Sequence, residues 1–285
     1  MCYNSMENIR ADIRADIRAD IRADIGVDIG VDIGAERKKE MNGFETFGRE
    51  HILWILMLAA AGAAAVSAGG RGTAGRAAAA ALAASGRVLP GIYYIASCSY
   101  GLDSLPLHVC SMAGYGCLLH FLLTVGEERK PGAGPEIKPR TALSELLFFP
   151  GLPGAFLALL FPGWTACPPF SFLSCCEFLG HGGIVLYVIL RMQDGSICPS
   201  FRRMWIPVVF CAVYAAVMIP FDRITETNYG FLLLPAPASP LSVIAFAAGL
   251  GPGYYIGYAL LVLFLMIVFY VAAALLKNAA SWLRC

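Results

Sequence analysis

The sequence predicts an all-α protein, a polytopic membrane bundle of about seven transmembrane helices. Three observations lead there. Hydrophobic residues make up 58% of the 285 and charged residues only 14%, where soluble domains carry about 45–50% and about 25%. The mean hydropathy is +0.66, so much of the surface has to face something other than water. The apolar residues fall into runs close to the roughly 20 residues a helix needs to cross a bilayer, and the basic residues between those runs lie almost all on one side. The formal net charge of +1 and the lack of a basic cluster exclude a nucleic-acid partner, since neither gives phosphates a footprint. Membrane lipids are the expected partners.

In chain order the spans are residues 51–68, 77–98, 104–125, 141–162, 170–190, 204–221 and 253–276. The first two are rich in Ala and Gly, small residues that let membrane helices approach closely. The third opens on Ser104-Leu-Pro-Leu-His-Val-Cys110, and the fourth and fifth carry Glu145, Glu177 and His181. Residues 231–250 are apolar enough for an eighth span, but Pro235, Pro237 and Pro240 interrupt them. That stretch is expected to be interfacial or re-entrant, since non-helical backbone at membrane depth is tolerated only against protein or a cavity.

The positive-inside rule supports seven spans over eight. One side collects eleven basic residues, among them Arg76, Arg140, Arg191, Arg202, Arg203 and Lys277, and the other side only Arg49 and Arg223. The C-terminus is therefore expected in the cytoplasm and the protein in the cell membrane. Trp164, Trp205 and Trp282 lie near span ends, as an aromatic belt would have them.

Residues 1–40 form a separate, low-complexity extension, and residues 41–285 the membrane domain. Ile-Arg-Ala-Asp occurs four times between Ile9 and Asp24 and then drifts into Gly-containing units. A period of four does not match the helical 3.6, so the isoleucines build no single apolar face. With seven basic and nine acidic residues and no aromatic but Tyr3, the extension has little to bury and is expected to be disordered or a weak solvent-exposed helix. It reads as a tandem DNA repeat translated from an upstream start, the working protein beginning at Met41. N-terminal mass spectrometry of the native protein is expected to return no peptide from residues 1–40, and such a peptide would refute this reading.

Most of the ten cysteines fall within spans, where a free thiol behaves as a small hydrophobe. Cys98 and Cys167 fall on the outer side, where a disulfide is permitted. Cys117-x-x-His120 has one helical turn between potential ligands, but a structural zinc site wants four. Packing is the better reading of that pair, and neither a metal nor a cofactor is expected.

Ionisable residues inside a bilayer are costly and mark functional sites. Here they are Arg87, His108, Glu145, Glu177 and His181. Counting residues from the span ends, Arg87 lies about 15 Å from the outer surface, Glu177 about 12 Å, His181 about 18 Å and Cys110 about 9 Å. Arg87 can therefore pair with Glu177 but not with Glu145, which lies near the cytoplasmic end. Glu177 and His181 are four apart and share a helix face, so the carboxylate can orient the imidazole as the third member of a catalytic triad orients its base. Cys110 is the candidate nucleophile, although its depth differs from that of His181 by about two turns. His108, two residues from Cys110, points elsewhere on the helix. The same residues would equally form a structural polar network, and the sequence leaves both readings open.

Several of these residues carry a resemblance. The opening Phe44-Glu-Thr-Phe-Gly-Arg-Glu-His51, the Leu-Pro-Leu-His-Val-Cys run, Glu177-Phe-Leu-Gly-His181-Gly and Asn228-Tyr229 occur in the order seen in the YwaF-like family of bacterial integral membrane proteins. The chain resembles that family over nearly all of residues 41–277. Where the family has a Pro-Trp pair before the last span, this sequence has Gly251-Pro-Gly-Tyr-Tyr255. The family is similar in turn to an animal transmembrane acyltransferase acting on ether phospholipids, and more distantly to membrane hydrolases of fatty-acid esters. The resemblance implies a lipid acyltransferase or hydrolase in which Cys110 is the nucleophile, His181 the base and Glu177 its orienting partner. Arg87 would then hold a phosphate or carboxylate headgroup, with His108, Asn228 and Tyr229 completing the substrate-binding set. The alternative is a non-enzymatic membrane protein, a transporter or an assembly partner.

Overall fold

The computed structural model describes residues 43–67, 72–125 and 139–279. The repeat and Met41 lie outside them, as does Trp282. Among the described residues there are helices and no strands. The principal elements are α1 (Arg49–Ser67), α2 (Thr73–Ala96), α3 (Val109–Thr124), α4 (Pro139–Leu146), α5 (Leu152–Leu160), α6 (Phe172–Gln193), α7 (Trp205–Thr225), α8 (Pro240–Ala248) and α9 (Pro252–Ala279).

Five helical stretches are long and apolar enough to cross a membrane: α1, α4 with α5, α6, α7 and α9. α3 is apolar but shorter. α2 has 24 residues, enough length, yet its alanines and Arg87 make it less apolar than the five. Every one of the seven predicted segments is thus helical, and the protein is a polytopic helix bundle. The fourth segment is not one straight helix, because it passes through a π-helical turn, Leu147–Gly151, in which Phe149 is extended (φ −145°, ψ 124°). Pro150 is the cause: it has no N–H to donate and disfavours helical geometry in the residue before it. Residues 231–250 contain only the nine-residue α8, which starts at Ser239 as N-cap and Pro240 in the first turn. At about 14 Å it is too short to cross, and it packs against α9.

Side-chain bonds sort the helix ends into two groups, as seven alternating segments require. At one end Arg76 pairs with Asp194 at 2.7 Å, Arg191 donates to Thr124, and Arg203 pairs with Glu145 at 2.6 Å. At the other, Trp54 donates to the Pro169 carbonyl, Tyr214 to that of Leu107, and Tyr229 to that of Leu102. The first is the basic end.

α6 is the most buried of the spanning helices, and glycines let α2 pack closely against both α6 and α3. A Cβ on Gly86 would stand 2.3 Å from the Gly180 Cα of α6, and one on Gly114 of α3 would stand 2.8 Å from the Ala83 carbonyl oxygen. Gly183 meets Ala83 in the same way. Small residues at such crossings replace the hydrophobic drive that lipid cannot supply. Gly86→Ala is therefore expected to destabilise the protein by about 1–3 kcal/mol, as overpacking does. Gly91, in the same helix, has open space around its missing Cβ. Gly91→Ala should be neutral or slightly stabilising, and thermal unfolding of the two variants in one detergent checks the contrast.

Candidate functional site

The close crossings also place the polar residues. Arg87 follows Gly86, His181 follows Gly180, and Cys110 lies one turn before Gly114 on α3. The bare Gly180 backbone leaves the Arg87 guanidinium room to cross α6, where its Nη2 donates to Glu177 Oε2 at 2.5 Å. Both partners are largely buried, with side-chain exposures of 9% and 22%. The pairing expected from depth is present, and Glu145 is elsewhere: at the basic end it accepts from Arg203 and from the Tyr270 hydroxyl.

His181 differs from expectation in what holds it. Its Nδ1 donates to the main-chain carbonyl of Glu177 at 2.7 Å, while the Glu177 carboxylate stands 3.6 Å away and is engaged by Arg87. Helical back-bonding of this kind needs no carboxylate, so the orienting group is the backbone. It fixes the tautomer and leaves the lone pair on Nε2, which is buried and has no hydrogen-bond partner among the described residues. The Trp164 indole stacks on the imidazole at 5.2 Å with an interplanar angle of 13° and meets Phe178 edge-on. Trp164 is thus turned inward and does not act as a belt residue; Trp205 is half exposed, as a belt residue should be.

Cys110 lies close enough to Arg87 and Glu177 for their charges to act on it. It is not hydrogen-bonded to His181, whose Nε2 has no partner and whose Nδ1 is occupied. The Arg87–Glu177 pair is near both: its charges act on Cys110, and the Glu177 carboxylate stands 3.6 Å from His181 Nδ1.

His108, Asn228 and Tyr229 form a second cluster at the same end. His108 Nδ1 accepts from the Gly230 N–H at 3.3 Å, and its ring meets those of Tyr229 and Phe231. Asn228 accepts from the N–H groups of Leu233 and Leu234 and donates to the Leu234 carbonyl, so its amide holds the loop before α8. The Tyr229 hydroxyl donates to the Leu102 carbonyl, and burial pushes its phenol well above the usual range. Gly230 needs its left-handed φ of +65°, and a Cβ there would crowd Tyr214 at 3.0 Å. The bonds of these side chains are made to the loops before α3 and α8.

Two buried groups were not foreseen. His51 accepts from the Phe47 N–H through Nδ1 and therefore donates from Nε2 to the Leu159 carbonyl at 2.7 Å, tying α1 to α5. Asp222, one residue beyond the sixth predicted span, is fully buried, with Thr227 on one carboxylate oxygen and no partner on the other. A His at the mouth of span one was the available signal for the first, whereas nothing in the sequence marks the second.

Cys117 and His120 are packing residues. The Ser144 hydroxyl donates to the Arg140 carbonyl, so it accepts from His120 Nε2, and His120 Nδ1 accepts from Tyr187. Cys98 and Cys167 are not bridged to each other, the first being exposed and the second buried.

No curated protein and no solved structure matches the chain. The profile of the TMEM164 family matches residues 46–270. That span takes in every helix from α1 into α9 together with both polar clusters, and on it the chain belongs to the TMEM164 family.

Proposed function

We propose that the protein is a membrane lipid acyltransferase or acyl hydrolase whose chemistry runs through Cys110 and His181. The observation that supports this best is the His181 imidazole itself: buried, held through Nδ1, and presenting an unengaged Nε2. A general base needs such a nitrogen, and a structural histidine has both nitrogens occupied, as His51 and His120 do. The YwaF-like resemblance points the same way.

In the first step Cys110 Sγ attacks the carbonyl carbon of a lipid ester. The S–C bond forms, the ester C–O bond breaks, and the thiol proton passes through His181 Nε2 to the leaving alkoxide. In the second step an acceptor hydroxyl or water gives its proton to Nε2 and attacks the thioester carbon. The new C–O bond forms, the C–S bond breaks, and His181 returns the proton to sulfur. A lipid phosphate drawing Arg87 from Glu177 would open the passage between thiol and imidazole, and Arg87 is suited to such a headgroup. We place the protein in the cell membrane with the basic end and the C-terminus in the cytoplasm.

A non-enzymatic role has one observation in its favour: the ion pair is closed and sits on the tightest helix crossing, where it could serve only to tie α2 to α6. Lipid profiles of cells expressing wild type and Cys110→Ala separate the two readings. The enzyme reading expects acyl-chain composition to shift with wild type and not with the variant, and identical profiles favour the tie.

A further inference from the structure

At the basic end Arg76 and Arg191 share the half-buried Asp194, and Arg203 pairs with the buried Glu145. Arg202 and Lys277 have no ion pair among the described residues, and both line the same cavity, of about 300 Å³. Its walls come from the C-terminal part of α6, the segment before α7, and the last turns of α9. Among the described residues no acidic side chain lines it. Glu145, which meets the lining residue Tyr270 from behind, is bonded to its hydroxyl and matched by Arg203. The remaining lining is apolar or small, including Met192, Phe201 and Ala273, and α9, which supplies part of it, also carries the exposed Val271 and Leu275.

We propose that this cavity is a binding site for the headgroup of an anionic phospholipid. Two unpaired cations meet the phosphate and its second negative charge or polar substituent, while the acyl chains lie outside along α9. The volume lies at the lower limit of ligand-sized clefts, suited to a headgroup and too small for a whole lipid. A soluble anion would gain nothing from the apolar lip. The positive-inside rule assigns this end to the cytoplasmic leaflet, where anionic lipids reside. The site is separate from the Cys110–His181 cluster and lies at the other end of the bundle.

The test is native mass spectrometry of the full chain in neutral detergent, offered equimolar dioleoyl phosphatidylglycerol and phosphatidylcholine. Each cation near a headgroup contributes about a five-fold preference for the anionic lipid, so the wild type is expected to retain phosphatidylglycerol roughly 25-fold better. The exposed positions of both side chains make Arg202→Gln with Lys277→Gln compatible with folding, and that variant should bring the ratio near parity. Arg202→Lys with Lys277→Arg keeps both charges and should keep the preference. Equal retention by wild type, or a preference unchanged in the double Gln variant, overturns the proposal. Complete displacement of the lipid by millimolar inorganic phosphate also overturns it, since that would mark a site for the free anion.

Discussion

Glu177→Ala is expected to destabilise the protein by about 3–5 kcal/mol, the usual result of removing one member of a buried ion pair. The substitution leaves Arg87 with its guanidinium inside the bundle and no counter-charge. Arg87 Nε already has no partner, and Glu177 is the acceptor its Nη2 reaches. Removing both charges should behave differently. A buried pair replaced by apolar residues is often neutral, so Arg87→Met with Glu177→Leu should recover most of the loss, which denaturant titration in mixed micelles measures. A Glu177→Ala variant within about 0.5 kcal/mol of wild type would mean that water reaches the guanidinium and that α2 and α6 are not in the contact described.

His181→Asn is expected to remove activity while leaving the fold nearly intact. The Asn amide nitrogen stands where Nδ1 stood and can still donate to the Glu177 carbonyl, but it offers nothing in place of Nε2. Loss of a general base lowers rates by about 10²–10⁴-fold. The stability cost is confined to the Trp164 stack, about 0.5–1.5 kcal/mol. Acyl transfer from a fluorescent phospholipid in reconstituted vesicles, read beside thermal unfolding, distinguishes this from general damage. Retention of more than a tenth of wild-type activity would remove His181 from the chemistry.

Depth along the spans was legible because rise per residue is fixed once a run is helical. Arg87 with Glu177, and Glu145 apart from both, follow from counting residues. The non-spanning character of residues 231–250 was legible from three prolines, and the two ends of the bundle from the placement of Arg and Lys. What holds His181 was not legible. A carboxylate four residues away is visible in the sequence, but a main-chain carbonyl at the same spacing is present in every helix, and only the course of Arg87 across Gly180 shows that the carboxylate is taken. Trp164 could not be told from a belt residue, since its inward turn depends on the path of the loop between α5 and α6. Asn228 and Tyr229 looked like free polar groups because their acceptors are backbone atoms of a loop whose fold no side-chain pattern announces. The break at Pro150 lay in plain view; a proline in an apolar run marks a helix boundary as readily as a kink, and the run's length concealed it.

The central claim is a thioester on Cys110. Full-length protein reconstituted with phospholipid, quenched in acid and digested, can be mapped for acylated peptides by tandem mass spectrometry. The account predicts an acyl adduct on the peptide containing Cys110, released by neutral hydroxylamine and absent from Cys110→Ala. Adducts that persist in Cys110→Ala, or that gather on exposed Cys98 with Cys110 unmodified, would contradict it.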